Sequence, residues 1–482
     1  MSGAGSALPS GLDPTRSAIT VLSRGQAAAA LLALAATTAC AILWPRPTLY
    51  ALLVAVSVGF TVSIAFKFTT SYVGSTFERA ANLTELRLTE DRARDLPVYT
   101  VLVPVYREAN IIGELVANLD RLDYPKDRLE VLVLMEADDQ ETPAALAAAD
   151  PPPYMRAIIL PDAQPKTKPK ACNTGLDQAR GAFLVIYDAE DRPDPDQLKR
   201  SLAVFDHLGD DVVCLQAALN YWNAHDNALT RMFTLEYSYW FDYMLPGLYH
   251  LDLPIPLGGT SNHFRTRALR DLGGWDPYNV TEDADLGIRA SMAGQRIGII
   301  SSTTFEEANR SYPNFIRQRS RWIKGYLQTF LVHTRHPVRT LRATGVKAAL
   351  GFALLIGGTP LTFLAMPPLY LLLLCTILGG RVPWLPDFPP WLDTVGYTNL
   401  ILGNAISVYL AMVGAFRRRN YRLVLWALLN PLYWLLHSAA AYKAVWQLLT
   451  RPHYWEKTRH GLSDAPAAAP DDLLGAPGRP LA

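Results

Sequence analysis

A mostly parallel α/β domain set between two groups of transmembrane α-helices is the fold class that the sequence predicts, and three observations carry it. Long apolar runs occupy both ends of the chain, each near the roughly 20 residues that cross a bilayer as helix. Between residues 98 and 344 no run could do so. That middle stretch instead alternates short, continuously apolar segments with segments of helical period, the pattern of a parallel sheet covered by helices.

A chain of 482 residues has room for two or three structural units. Half of it is hydrophobic, only 18% is charged, and the formal net charge is +1. A general nucleic-acid binder carries a marked basic excess, which this chain lacks. Cys40, Cys172, Cys214 and Cys375 are scattered, with no Cys-x-x-Cys pair. They read as reduced thiols, not as a disulfide framework or a zinc site.

In chain order, residues 1–25 are rich in Gly, Ser and Pro and read as disordered. Residues 26–66 hold two apolar runs split by "PRPT" and read as a transmembrane hairpin. The second run follows too closely for the first to be a cleaved signal peptide. Residues 67–96 form a polar, helix-prone linker with Lys67, Arg79, Arg87, Arg92 and Arg94, which puts that side in the cytoplasm by the positive-inside rule. Residues 97–310 are the α/β domain, 311–345 interfacial helices, 346–449 a second transmembrane region, and 450–482 an interfacial segment with a disordered tail. The loop "GGRVPWLPDFPPWLD" reads as external and "RRRNYR" as cytoplasmic. Five simple crossings would leave "PHYWEKTRHG" outside, whereas a re-entrant or interfacial helix would return it; both stay open. Asn404, Asn430 and His437 could line a path through the apolar region or simply pack within it.

Three predicted strands end in carboxylates. "VYTVLVP" leads to Tyr106, Arg107 and Glu108, "LEVLVLM" to Glu136, Asp138 and Asp139, and "GAFLVIYD" to Asp188, Glu190, Asp191 and Asp194. Ligands of such sheets bind beyond the carboxyl ends of the strands. Helix capping explains any one cluster. Three in succession suit a divalent cation completed by phosphate oxygens and water. A fourth cluster, "VTEDADLGIRA", brings Glu282 and Asp283, where a carboxylate could take a proton from an attacking hydroxyl. Lys166 and Lys168 read as a solvated loop, while Lys170 opens a helix close to where a diphosphate would lie. "IRQRSRWIKG" carries Arg317, Arg319, Arg321 and Lys324 around Trp322. Its guanidinium groups suit a departing diphosphate, its indole a sugar ring, and Arg317 and Lys324 the lipid headgroups.

Taken together, "VPVYRE", "EADDQET", "DAED", "TEDADL" and "QRSRW" resemble the membrane-embedded, processive members of glycosyltransferase family 2, which have the GT-A fold. Cellulose, chitin, hyaluronan and mannan synthases are its familiar members. "GGTSNHF" and "YWEKTRHG" look most like the bacterial cellulose-synthase-like branch. The resemblance spans roughly residues 98–330, and its ordered set is specific where single motifs are weak. It implies that Tyr106, Glu108, Glu136 and Asp138 hold the base and ribose and that Lys170 touches the diphosphate. It further implies that Asp188 and Glu190 bind Mg²⁺ or Mn²⁺ and that Asp283 of "TED", beside Glu282, is the catalytic base. Gln318, Arg321 and Trp322 would meet the diphosphate and the acceptor sugar, with Gly259 and Thr260 bordering the acceptor. Two positions depart from the family pattern. Glu190 stands where Asp is usual, so Asp191 could share or replace the metal role, and Glu136 also stands where Asp is common. No counterpart of the cellulose-synthase gating loop or of a cyclic-di-GMP-binding domain is recognised, so activation by that nucleotide would need another protein.

The implied reaction is a single inverting displacement on a nucleotide sugar, UDP-glucose first and GDP-mannose or UDP-N-acetylglucosamine next. It would extend and export a β-linked polysaccharide, with an accessory export or activator protein as a possible partner and no role for nucleic acid. The expected location is the bacterial inner membrane, multi-pass, with the catalytic domain cytoplasmic. A non-processive transferase acting on a lipid-linked acceptor is the alternative, and "QRSRW" weighs against it. A scaffold with a degenerate transferase domain is the remaining reading, opposed by Asp188, Asp283 and Arg321.

Overall fold

The computed structural model describes residues 8–9, 11–81, 86–377 and 389–457. Most of the loop read as external (379–388) and the tail from 458 onward lie outside the described residues.

The strands are β1 (Tyr99–Val105), β2 (Leu129–Glu136), β3 (Met155–Leu160), β4 (Phe183–Ile186), β5 (Arg192–Pro193), β6 (Val212–Tyr221), β7 (Asn262–Arg265) and β8 (Arg296–Glu306). They form one sheet in the order β3-β2-β1-β4-β7-β6-β8-β5. β1 to β4 are mutually parallel, as are β6 and β8. β7 runs antiparallel between β4 and β6, and β5 antiparallel on β8. The predicted mostly parallel sheet is therefore present. The antiparallel β7 arises from "GGTSNHF", which the sequence reading had placed only at the acceptor border.

Strands buried on both faces need continuous apolar runs, and β1 and β2 supply them. Alternate residues serve different cores. Val101, Val103, Val131 and Val133 join the layer under one set of helices, while Leu102, Leu132 and Leu134 join the layer on the opposite face. That second layer is continuous with Leu355 and Ile356 of the membrane-side region, so the sheet and the apolar helices share one core.

The Arg24–Leu43 and Pro45–Ala81 helices present exposed Leu31, Leu32, Leu34, Ile42 and Leu52. A belt of that kind is consistent with membrane association, since soluble monomers rarely carry so large an apolar patch. Two expectations need correction. Residues 67–81 continue the second helix and do not start a linker; nothing there breaks the helical pattern. Residues 11–23, expected to be disordered, lie on the α/β domain. Fully buried Asp276 accepts hydrogen bonds from Ser17 Oγ (3.0 Å) and the Ala18 amide (2.6 Å), and Arg335 donates to the carbonyls of Thr15 and Ser17. A buried carboxylate needs donors, and composition could not show that this segment supplies them.

Among the described residues five stretches are long and apolar enough to cross a membrane. The last, Tyr421–Thr450, is two helices in series. Its first part, Tyr421–Leu429, is a 3-10 helix beside the Pro390–Arg417 helix, and Asn430 donates back to the Ser407 carbonyl at 3.2 Å. Asn430–Thr450 then comes back along Tyr312–His333. Both ends abut the α/β domain. Arg418 grips Asp242 at 2.5 and 2.6 Å just before the segment, and Arg231 lies over Trp426 at 4.5 Å. Just after it, Lys324 donates to the Tyr454 carbonyl (2.7 Å) and Gln328 to that of Pro452 (3.0 Å). The geometry favours the re-entrant option and keeps residues 452–457 on the domain's side. Lys324, expected at lipid headgroups, is thereby fully buried.

Candidate active site

The end of β1 meets the end of β2 at the first part of the site. Tyr106 donates to Asp138 Oδ2 at 3.1 Å, and Lys166 pairs with Asp138 Oδ1 at 3.0 Å. Asp139 accepts from the Arg107 amide and from Thr142, so this member of "EADDQET" caps the following helix. Glu136 is buried and faces the cavity. Its Oε2 has no hydrogen-bond partner and lies 3.7 Å from Lys170 Nζ. Burial pushes its carboxyl up despite Lys170 and Lys166. A buried acceptor without a donor is costly, and the N–H of a bound base would relieve it.

Past β4 stand the acidic residues. Asp188 and Glu190 face the cavity, whereas Asp191 does not. Asp191 Oδ2 accepts from the Asp188 amide at 2.8 Å and from Thr260 Oγ1, and burial followed by repulsion from Asp188 and Glu190 drives its carboxyl far up. The alternative metal role for Asp191 is thus set aside; Asp191 and Thr260 hold the loop. Glu306, at the end of β8, also faces the cavity, and burial with Asp191, Asp188 and Glu190 raises its carboxyl strongly. Lys168 is the cation in this crowd: it contacts Asp188, donates to the Gly259 carbonyl at 2.8 Å, and is held protonated by Asp188 and Glu282 against its own burial. Lys170 turns away to the Pro161 and Ala163 carbonyls and does not line the cavity.

The Glu282–Met292 helix carries Glu282 and Asp283 to the other wall. Burial, then mutual repulsion, raises Glu282 to about 8, and burial also raises Asp283. Behind them Asp285 is fixed by Arg289 Nε (2.8 Å) and His333 Nε2 (2.8 Å), which locks this helix to the Tyr312–His333 helix. A Cβ at Gly259 would lie 3.5 Å from Asp283 Oδ2, so Gly259 borders the candidate base.

The four cations of "IRQRSRWIKG" separate by helix face. Arg319 makes a two-point pair with Glu236 (2.7 and 2.6 Å), and this pair, with Tyr433 and His437, holds Glu236 at about 2 although its burial alone would raise it. Arg321 faces the cavity under the field of Glu282, Asp283 and Asp188, and lies 4.5 Å from the Trp455 ring. Gln318 and Trp322 line the cavity as well. Lys457 reaches the Tyr106 carbonyl and Glu108 (3.4 Å), so the C-terminal segment covers the base end.

A family model described as "Glycosyltransferase like family 2" matches residues 97–325. Those residues are a glycosyltransferase family 2 domain. The chain is 28% identical over 257 residues to Probable glycosyltransferase YdaM of Bacillus subtilis (strain 168), covering 52% of this chain and 59% of that protein. It is 25% identical over 265 residues to Probable glucomannan 4-beta-mannosyltransferase 10 of Arabidopsis thaliana, covering 52% and 46%. The chain thus spans about half the length of these curated relatives. Among solved structures, that of mannosyltransferase PcManGT from Pyrobaculum calidifontis in complex with GDP-Man and Mn2+ is similar at a TM-score of 0.48 and 20% identity, over 82% of this chain and 98% of that one.

The family 2 domain's acidic centre fits a hard divalent cation. The charges of Asp188 and Glu190 help to raise the buried carboxyls of Asp191 and Glu306, and a cation at the centre would offset that repulsion. Among the described residues no three His, Cys, Asp or Glu side chains form a metal-holding group by themselves. Lys168, expected in a solvated loop, instead stands in the site, and Glu306 and Trp455, to which the sequence assigns no role, line it as well. Only Glu306 left a signal, "FEEAN" beyond an apolar strand.

Two expected outcomes follow from this packing. A Cβ at Gly325 would sit 2.2 Å from Thr281 Oγ1, where the helix of "QRSRW" meets "TED". Gly325→Ala is expected to cost about 1–3 kcal/mol and to slow nucleotide release, checked by thermal unfolding beside a turnover assay. Glu282 carries a folded pKa of about 8 against an ordinary 4.5. Between those values the folded state keeps a proton that the unfolded state has lost, so stability falls as pH rises. The unfolding temperature without divalent ions should therefore drop from pH 4.5 to pH 8, and drop less in Glu282→Gln. Equal drops in both proteins would remove Glu282 as the cause.

Proposed function

We propose that the chain is an inverting, processive glycosyltransferase that extends a β-linked polysaccharide from a nucleotide sugar and passes it through the membrane. One observation carries this reading. A single cavity of about 580 Å³ runs from Tyr106, Glu108 and Glu136 past Asp188, Asp283 and Arg321 to Phe60, Met366 and Ile406 of the apolar helices. A transferase acting on a small soluble acceptor has no use for that last part. Asn430 and His437 line it, while Asn404 is engaged by Tyr370 and does not.

In the proposed mechanism Glu136 takes the base, with Tyr106 and Glu108 beside the nucleoside. Asp283 takes the proton of the acceptor hydroxyl as its oxygen attacks the anomeric carbon and the bond to the diphosphate breaks. Arg321 and Lys168 receive the charge that develops on the departing diphosphate. A divalent ion held by Asp188 and Glu190 would neutralise that diphosphate further. Trp322 offers a flat face to the acceptor sugar. The chain resembles the bacterial cellulose-synthase-like branch, and the proposed setting is the bacterial inner membrane with the domain cytoplasmic. UDP-glucose is the first donor to test. A mannosyl donor is second, since one relative is named a glucomannan mannosyltransferase.

The test supplies membranes containing the protein with labelled sugar nucleotides and Mg²⁺ or Mn²⁺, measuring nucleotide release and labelled product size together. High-molecular-weight product from one donor is expected. Release with only short or lipid-linked product would replace this reading with the non-processive one.

A further inference from the structure

Lys67 has no part in the mechanism above, yet it faces the same cavity from the Pro45–Ala81 helix. It sits just beyond the level where this helix leans on the domain. There Ser71, which donates to the Lys67 carbonyl at 2.7 Å, lies within hydrogen-bond distance of the Tyr239 hydroxyl at 3.0 Å, and Thr70 meets Gly247. Among the described residues the Lys67 ammonium has neither a hydrogen bond nor an ion pair. The neutral polar residues that the apolar helices add to the cavity wall include Ser63, Thr362, Ser407 and Asn430.

One carboxylate acts on Lys67 through space, that of Glu236. Its charge is already cancelled by the two-point pair with Arg319, and Tyr433 donates to it at 2.6 Å. The wall here therefore carries one uncompensated positive charge on a membrane helix, where an unpaired ion is expensive and marks a functional position. A wholly neutral glycan gives no return for that cost, because hydroxyl and amide side chains hydrogen-bond sugars as well as an ammonium does. An anionic oxygen does give one, through a charge-assisted hydrogen bond in a confined site.

We infer that Lys67 binds a carboxylate or phosphate group borne by the glycosyl acceptor as the acceptor leaves the transfer site for the membrane. This rests on the proposed reading only in requiring that an acceptor occupies the cavity.

The test needs no turnover. Full-length protein in phosphatidylcholine nanodiscs is titrated with octyl β-D-glucuronide and with octyl β-D-glucoside, following the fluorescence of cavity residues Trp240, Trp322 and Trp434. The glucuronide should bind about tenfold more tightly, the size of one charged hydrogen bond. The preference should vanish in Lys67→Met and persist in Lys67→Arg. Farnesyl phosphate against farnesol repeats the comparison for a lipid phosphate. A preference in the first pair assigns the anion to a sugar acid, and a preference in the second alone assigns it to a lipid carrier. Equal binding within both pairs in the unmutated protein overturns the inference, as does a preference that survives Lys67→Met. Polymer synthesis beside equal binding would sink this inference and leave the synthase reading standing.

Discussion

Asp283→Asn is expected to lower nucleotide release by about 10²–10⁴-fold, the usual worth of a general base, with donor binding essentially unchanged. The substitution keeps shape and leaves an oxygen to accept from the Ala284 amide, now at 2.7 Å, so the helix start should survive. What it removes is the carboxylate proposed to take the acceptor's proton. Burial raises Asp283, while Lys168 and Arg321 pull it back down. Turnover in the unmutated protein should therefore climb with pH to a limb above the ordinary carboxylate range, and that limb should be absent from the residual activity of the variant. Donor binding and product size measured together check both points. A variant with full turnover would end the assignment of Asp283.

Arg321→Lys should cost about 10²–10³-fold in turnover, comparable to losing one preorganised donor to developing charge. The charge is kept, so a pure Coulomb role would barely register. Arg321 instead lies over Trp455 at 4.5 Å and under the field of three carboxylates. A planar fork can stack on that ring and still present two donors to phosphate oxygens, which an ammonium cannot do. Single-turnover release of nucleotide decides this. Near-normal turnover would shift the stabilising role to Lys168, whose ammonium already touches Asp188.

The architecture was readable wherever its cause was local. Continuous apolar strands ending in carboxylates are written into β1, β2 and β4, and the sites beyond them follow from parallel-sheet geometry. "TED" and "QRSRW" were legible as residue types. Their division of labour was not: Arg319 and Arg321 are two positions apart and both line the cavity, yet one is paired with Glu236 and the other lies in the field of Glu282, Asp283 and Asp188, because a helix turns successive residues to different faces. Lys168 and Lys170 posed the same ambiguity, and side-chain direction resolved it opposite to the expectation. Lys67, Glu306 and Trp455 reach the site from stretches far apart in the chain, so no local pattern could join them. Asp139, Asp191 and Asp194 show the converse. Each belongs to a carboxylate cluster in sequence and is engaged by backbone or hydroxyl donors.

The returning segment at Tyr421–Thr450 has a consequence for how the protein is made. By length and apolarity it is eligible to cross, and insertion machinery that responds to hydrophobicity would be free to thread it through. What draws it back is contact with the domain: Tyr433 donates to Glu236, and Glu456, just past the segment, accepts from Ser320 of the Tyr312–His333 helix. Biogenesis must then be ordered, with the catalytic domain complete before the last segment settles. A lesion that delays the domain is expected to leave Trp455 and Lys457 away from the cavity they line.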